Sequence, residues 1–282
     1  MDTRKILLEE LILNHGDEAA RIVEQLKMDQ LVPFFNNLPV MLSVTLLQEM
    51  DAYLSYRCLD EIDEEKSANV LDKMPLRTSA SFMRRMAKEK RERILKSLEV
   101  KTAISLEQML YHLPGTAGAE MDPQVPVITE DLNVKEVFDS VKKSKQQSYE
   151  YIYITNQDGK LSGIVKLEDL VIADSKEKII SLLIKEIPRL YSEVEIGKIT
   201  DHPGWEEYSA LPVVDRADTF LGALFYSVVK KSGKEKTKGI PRHAVMASNA
   251  LGELYRIGLS GLIYSTLSDT EARSSKTTEE SE

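Results

Sequence analysis

PFFNNLPVMLSVTLLQEMDAYLSYRCLDEIDEEKSANVLDKMP, residues 33–75, repeats an apolar pattern every twelve residues. Extending the step in both directions, Leu26, Leu38, Met50, Ile62, Met74, Met86 and Leu98 are all apolar. Three residues earlier the same stepping gives Val23, Phe35, Leu47, Leu59, Leu71, Met83 and Leu95, and one further back Ile22, Phe34, Leu46, Cys58, Val70, Phe82 and Ile94. Apolar residues at i, i+1 and i+4 mark one face of a helix. A twelve-residue step advances that face by about 120° at 3.6 residues per turn, so one unbroken helix would spread its stripe around all sides. The chain must therefore turn once per repeat. Pro39, Asp51, Asp63 and Pro75 follow the column-ending residues and suit helix starts, as N1 proline or N-cap carboxylate. Residues 1–112 are expected to form a superhelix of short helices, each burying its face on its neighbours. Cys58, inside a column, reads as a buried small hydrophobe.

Past Pro114 the pattern changes to β-rich runs alternating with helices. Val125–Thr129, Tyr151–Thr155 and Leu161–Val165 read as strands, the last two joined by Asn156-Gln157-Asp158-Gly159, and Val134, Val137, Phe138 and Val141 make a helical face. A second copy follows: Ala210–Asp215 and Phe220–Leu224 align on Tyr151–Val165, with Gly222 matching Gly163 at an offset of 59 residues. The fold class expected is α+β: the superhelix, then two βαββα copies over 113–174 and 175–232. A linker and amphipathic helix (233–267) and a disordered tail (268–282) complete the expected organisation.

The runs LPVVD (211–215) and GKLSGIVKLEDL (159–170), with the duplication, resemble a tandem CBS (Bateman) module. TAGAEM (116–121) joins it to the helical stack in the manner of the MgtE magnesium transporters, and the resemblance covers about residues 10–232. It implies a regulatory, non-catalytic intracellular region, present here without a transmembrane pore. It also implies Mg²⁺ sensing by acidic clusters, with bound metal screening carboxylate repulsion to hold a compact form. Mg²⁺ takes oxygen ligands and keeps several waters, which suits such clusters. The positions that match are Asp63, Glu65, Glu168, Asp169 and Asp174, with Asp215 in the second copy. Others differ. Asp63–Leu71 stands where the family motif is close to D-P-D-D-L-A-D-A-L, so Asn69 replaces a carboxylate and Lys66 adds a positive charge; Phe225–Val229 stands where the family has T-V-D-D-V. CBS pairs also bind adenine nucleotides through a hydroxyl residue and an aspartate. The first copy keeps Asp169 with Lys166 at the hydroxyl position, and the second has Phe225 and Val228.

Composition agrees with this picture. A net charge of -9 disfavours nucleic acid as a partner. One cysteine excludes an internal disulfide, and the start Met1-Asp2-Thr3-Arg4-Lys5 has no apolar signal segment, so a cytoplasmic setting, at most peripheral to a membrane, is expected. No run of about 20 apolar residues qualifies as a membrane span. The nearest, Ala244–Leu267, is interrupted by Asn249, Glu253 and Arg256 and reads as an amphipathic helix, with Leu251, Leu254, Tyr255, Gly258, Leu259 and Leu262 on one face. The four histidines lack metal-ligand spacing, and no Walker loop or nucleophile elbow occurs. A homodimer through the CBS pair is expected from apolar residues on the helices after each sheet, Leu167, Leu170 and Val171 or Tyr226, Val228 and Val229. A membrane transporter is a further candidate partner.

Overall fold

The structure is a computed structural model that describes residues 3–143 and 149–235. It divides into two compact units between Ala103 and Ile104. The first begins with α1 (Thr3–Asn14), α2 (Gly16–Val23) and α3 (Met28–Asn37). Five ten-residue helices follow: α4 (Val40–Glu49), α5 (Ala52–Glu61), α6 (Glu64–Lys73), α7 (Leu76–Arg85) and α8 (Lys88–Ser97). The unit boundary falls within α9 (Val100–Tyr111).

The twelve-residue columns explain these helices. Leu38, Met50, Ile62, Met74, Met86 and Leu98 each occupy the C-cap in extended conformation and are buried, so the chain turns where it also plugs the core. Phe35, Leu47, Leu59, Leu71 and Met83 are buried inside the helices, as are Cys58, Val70 and Ile94. Each such side chain withdrawn from water contributes roughly 1.5–3 kcal/mol before entropic costs. The even-numbered helices α2, α4, α6 and α8 pack in series, and α3 packs on α5. Asp51 caps α5, accepting from the amides of Tyr53 and Leu54 at 3.0 and 3.1 Å. Pro39 and Pro75 stand at N-cap positions rather than N1, one residue earlier than the usual place for proline; neither donates a side-chain cap, and the fixed φ of each suits the corner.

Polar groups also recur with the period. Ser43, Ser55, Ser67 and Ser79 are fully buried. The last three donate their hydroxyls back to the preceding helix, to Leu47 O, Leu59 O and Leu71 O at 2.9, 3.0 and 2.8 Å. Helix starts are capped from a distance as well. The amides of Asp51, Asp63 and Glu99 bond to Glu24 Oε1, Asn36 Oδ1 and Asp72 Oδ1, each 27 residues upstream. Orphan N–H groups at helix N-termini are thereby satisfied by side chains three helices back.

The second unit opens with the end of α9 and the short α10 (Ala117–Glu120). The first copy comprises β1 (Val127–Thr129), α11 (Val134–Lys143), β2 (Tyr151–Thr155), β3 (Leu161–Lys166) and α12 (Leu167–Ile172). The second comprises β4 (Leu190–Tyr191), β5 (Ala210–Val214), β6 (Phe220–Phe225) and α13 (Tyr226–Glu235). Each sheet has three strands, parallel then antiparallel, with an irregularity near the end of the central strand. The expected βαββα order holds for the first copy. In the second, the first helix is replaced by 3-10 turns at Ile196–Lys198 and Pro203–Glu206. His202-Pro203-Gly204 breaks the helix: the proline has no amide to donate, and the His202 ring accepts from Gly204 N at 3.0 Å.

A pseudo-twofold relation holds the copies together. Lys160 bridges Thr219, its counterpart 59 residues on. Each sheet also receives a strand-like crossing from the segment before or after the other copy. Asp122 N bonds Ala223 O at 2.7 Å, and Ile184 N bonds Ile164 O at 2.8 Å. These crossings account for the matched glycines. A Cβ on Gly222 would lie 2.6 Å from Asp122 O, and one on Gly163 closer still to Ile184 O.

Candidate functional site

A pocket of about 320 Å³ lies on the first copy where β2 begins and α12 starts, lined by Tyr149, Glu150, Lys166, Leu167, Glu168 and Val171. Local hydrogen bonding fixes its frame. Leu167 N donates to Glu150 O at 2.9 Å, closing the start of α12 on the start of β2. The Glu150 carboxylate accepts from Tyr151 OH at 3.0 Å and from the Ser209 hydroxyl, which is the residue equivalent to Glu150 in the second copy. The Tyr149 hydroxyl donates to Asp122 Oδ2 at 3.1 Å, while its ring stacks on Phe225 with centroids 6.4 Å apart. Burial, with the Asp122 carboxylate nearby, pushes the Tyr149 phenol well above its ordinary pKa, so it stays a neutral donor. Lys166 Nζ lies 3.8 Å from Glu168, leaving a partly compensated positive charge at the rim.

Of the residues expected to hold a nucleotide, Lys166 lines this pocket, whereas Asp169 lies in the first turn of α12 outside the lining. The expected metal ligands divide between the units. Asp63 stands at the N-cap of α6 but makes no side-chain cap bond, and Glu65 follows in the first turn; both are exposed. Glu168 and Asp174 are exposed and Asp169 half-buried. Asp174 Oδ1 accepts from Lys176 N at 2.9 Å. Asp215 is engaged in its own turn: Oδ1 accepts from Ala217 N and Thr219 N, both at 2.8 Å. Burial opposes ionisation there, but these bonds outweigh it and the carboxyl titrates below the usual range. Among the described residues, no group of three or more His, Cys, Asp or Glu side chains is arranged to hold a metal ion.

Lys66 has a structural role that the sequence comparison did not suggest. Its ammonium donates to Leu38 O, the C-cap carbonyl of α3, and partial burial lowers its pKa. The surface expected to pair two chains also needs correction. Leu170 and Val229 belong to the unit's own core, and Tyr226 is covered by Trp205 at 5.3 Å. Among the described residues, the large apolar residues left exposed on and just after the first copy include Val127, Phe138, Val171, Ile172 and Ile180. Sequence reasoning missed Tyr149 and Glu150; their signal was the repeat itself, since Tyr149 and Tyr208 occupy equivalent positions.

Residues 14–114 match the MgtE intracellular N domain, and residues 117–176 match the CBS domain. The first match covers most of the helical unit, and the second the first strand-and-helix copy. The magnesium transporter MgtE of Thermus thermophilus is 22% identical over 133 residues, which are 46% of this chain and 30% of that protein. An uncharacterized protein of Methanocaldococcus jannaschii is 29% identical over 122 residues, 42% of this chain and 43% of that one. The matches thus span less than half the length of either relative. Among solved structures, the cytosolic domain of the Mg²⁺ channel MgtE in complex with ATP superposes with a TM-score of 0.69 at 20% identity, covering 82% of this chain and 95% of that chain. At that identity the likeness establishes the fold. The CBS match ends at residue 176, but the second copy repeats its strand order and its close-approach glycine. Among the described residues, no helix is long and apolar enough to cross a membrane.

Proposed function

We propose that the chain is a non-catalytic regulatory module that responds to Mg²⁺, with exposed carboxylates on the helical unit and on the first CBS copy as donors to hydrated ions. The observation that carries this reading is the order of parts: an N domain and a CBS pair in one chain, with the fold of a cytosolic MgtE domain over 82% of its length. Asp63 and Glu65 on the N domain, and Glu168, Asp169 and Asp174 on the first CBS copy, are the proposed oxygen donors. Asp215 contributes least, because its Oδ1 already serves two amides. Binding is weak, since Asn69 and Lys66 occupy places where related motifs carry acids. A homodimer through the first CBS copy, burying Phe138, Ile172 and Ile180, is part of the same proposal, with a cytoplasmic location and a membrane transporter as the protein it acts upon.

A second reading rests on the pocket. Lys166 offers a point charge to phosphate, and Asp169 follows three residues later, so an adenine nucleotide is the alternative ligand. Calorimetry at matched ionic strength separates the two. Heat on adding MgCl₂ without nucleotide supports the first reading, heat only with AMP or ATP supports the second, and neither leaves a metal-independent interaction scaffold.

A further inference from the structure

We propose that residues 251–262 of this same chain dock as a helix along the outer face of α9. The inner face of α9 is settled: Thr102, Ser105, Leu106 and Met109 are buried. An ordinary surface helix turns polar residues outward on the opposite side. α8 does so, exposing Lys88, Glu92 and Lys96 at i, i+4 and i+8. On α9 the outward positions i, i+4 and i+11 are Val100, Ile104 and Tyr111, all exposed, with Glu107 as the one charge among them, and Leu113 is exposed just beyond the helix end. A helix that is apolar on both sides is stable in water only when both sides are covered.

Reach, length and charge select the occupant. Gln108 Nε2 on α9 donates to Leu221 O at 2.8 Å, and Leu221 lies in β6, which runs directly into α13. Glu235, at the end of α13, is therefore at most roughly 30 Å of strand and helix from that bond. The residues between Glu235 and Leu251 span up to about 50 Å when extended, so the segment reaches α9 within its own chain. Leu251, Leu254, Tyr255, Leu259 and Leu262 share one helical face from i to i+11, the same length of helix, about 16 Å, as Val100 to Tyr111. That face carries no acid, and the Tyr255 hydroxyl is a donor suited to Glu107. A second copy of α9 laid on the stripe would instead bring two Glu107 carboxylates together. Tethering favours the chain's own segment further, since a short linker holds it at an effective concentration of about millimolar. The inference needs neither metal nor nucleotide and stands apart from both functional readings.

Hydroxyl-radical footprinting of the whole chain in EDTA tests it, with Tyr53 on α5 as the internal standard. Uncovered, Tyr111 at 87% exposure would be labelled faster than Tyr53 at 62%. Docking reverses that order. Leu259→Asp, which sets a carboxylate on the docking face against Glu107, should restore it and leave Tyr53 unchanged. Ile104→Asp, at an exposed position of α9, should raise the labelling of Tyr111 and Tyr255 together, with the unfolding transition of Trp205 unmoved. Faster labelling of Tyr111 than of Tyr53 in the native chain, protection that survives Leu259→Asp, or a Tyr255 indifferent to Ile104→Asp would each overturn the proposal. Protection of Tyr111 that disappears on dilution would place a second copy on the stripe and overturn it equally.

Discussion

Ser67 donates to Leu59 O from a position with no solvent exposure, and the neighbouring repeats do the same at Ser55 and Ser79. Removing the hydroxyl leaves a buried carbonyl short of its partner, so Ser67→Ala should cost about 1–3 kcal/mol. Far-UV circular dichroism during urea unfolding reports this chiefly from the helical unit, while Trp205, the sole tryptophan, reports from the CBS pair. A loss seen by circular dichroism with the Trp205 transition unmoved is the expected outcome. Asp72 makes a pH-dependent contribution. Its burial favours the neutral acid, but bonds from Lys73, the Glu99 amide and Thr102 outweigh that and depress its pKa. A depressed carboxyl stabilises the fold above its unfolded value, about pH 4, and that stability disappears as pH falls through the folded value. Asp72→Asn should therefore flatten the acid limb of the stability profile below about pH 4. An unchanged acid slope would show that Asp72 is not a contributor. The apolar columns were legible because burial enforces hydrophobicity at every step. The serine column has the same period, yet its role depends on a carbonyl in another helix, and serine alone carries no such signal. Asp215 was legible as a carboxylate but not as one whose oxygen is engaged by Ala217 and Thr219.

Among the elements, the five ten-residue helices α4 to α8 follow directly from a repeat that cannot continue as one helix. Their corners were readable too, although Pro39 and Pro75 sit at the cap itself. The second copy was readable in its strands and less so before them, because His202-Pro203-Gly204 replaces a helix by turns whose geometry depends on the His202 ring. The paired glycines were visible as a match, and their cause appears only in the crossings at Asp122 and Ile184. Gly222→Ala should force the Asp122 crossing off β6 and lose the two amide bonds between Asp122 and Ala223, at a cost of about 2 kcal/mol or more. Gly159→Ala is a useful contrast: its φ of +75° penalises alanine through backbone strain, but its nearest neighbour, the Thr219 methyl at 3.7 Å, leaves room. Chemical unfolding followed by Trp205 fluorescence checks both, and a larger loss for Gly159→Ala than for Gly222→Ala would contradict the close-approach explanation.

For the whole molecule, the succession of a helical repeat and a duplicated strand-and-helix unit was legible from a period of twelve followed by an offset of 59, two repeats that differ in kind. The ligand chemistry was much less so, because carboxylates recur over the surface for solubility and capping as well as for metal. The amphipathic segment expected at Ala244–Leu267 and the tail 268–282 lie outside the described residues. The proposed magnesium response is a property of a chain with a net charge of -9, whose exposed carboxylates favour a divalent cation over an anion. A ligand that binds only the folded state raises its stability by about 2.7 kcal/mol at a hundred times its dissociation constant, and by less at lower saturation. The most direct measurement is the thermal melting curve of the full chain in millimolar MgCl₂ against NaCl at equal ionic strength, for the native sequence and for Asp169→Asn. The account predicts a higher Tm in magnesium for the native chain and a smaller magnesium increment in the variant; superimposable curves in the two salts would contradict it.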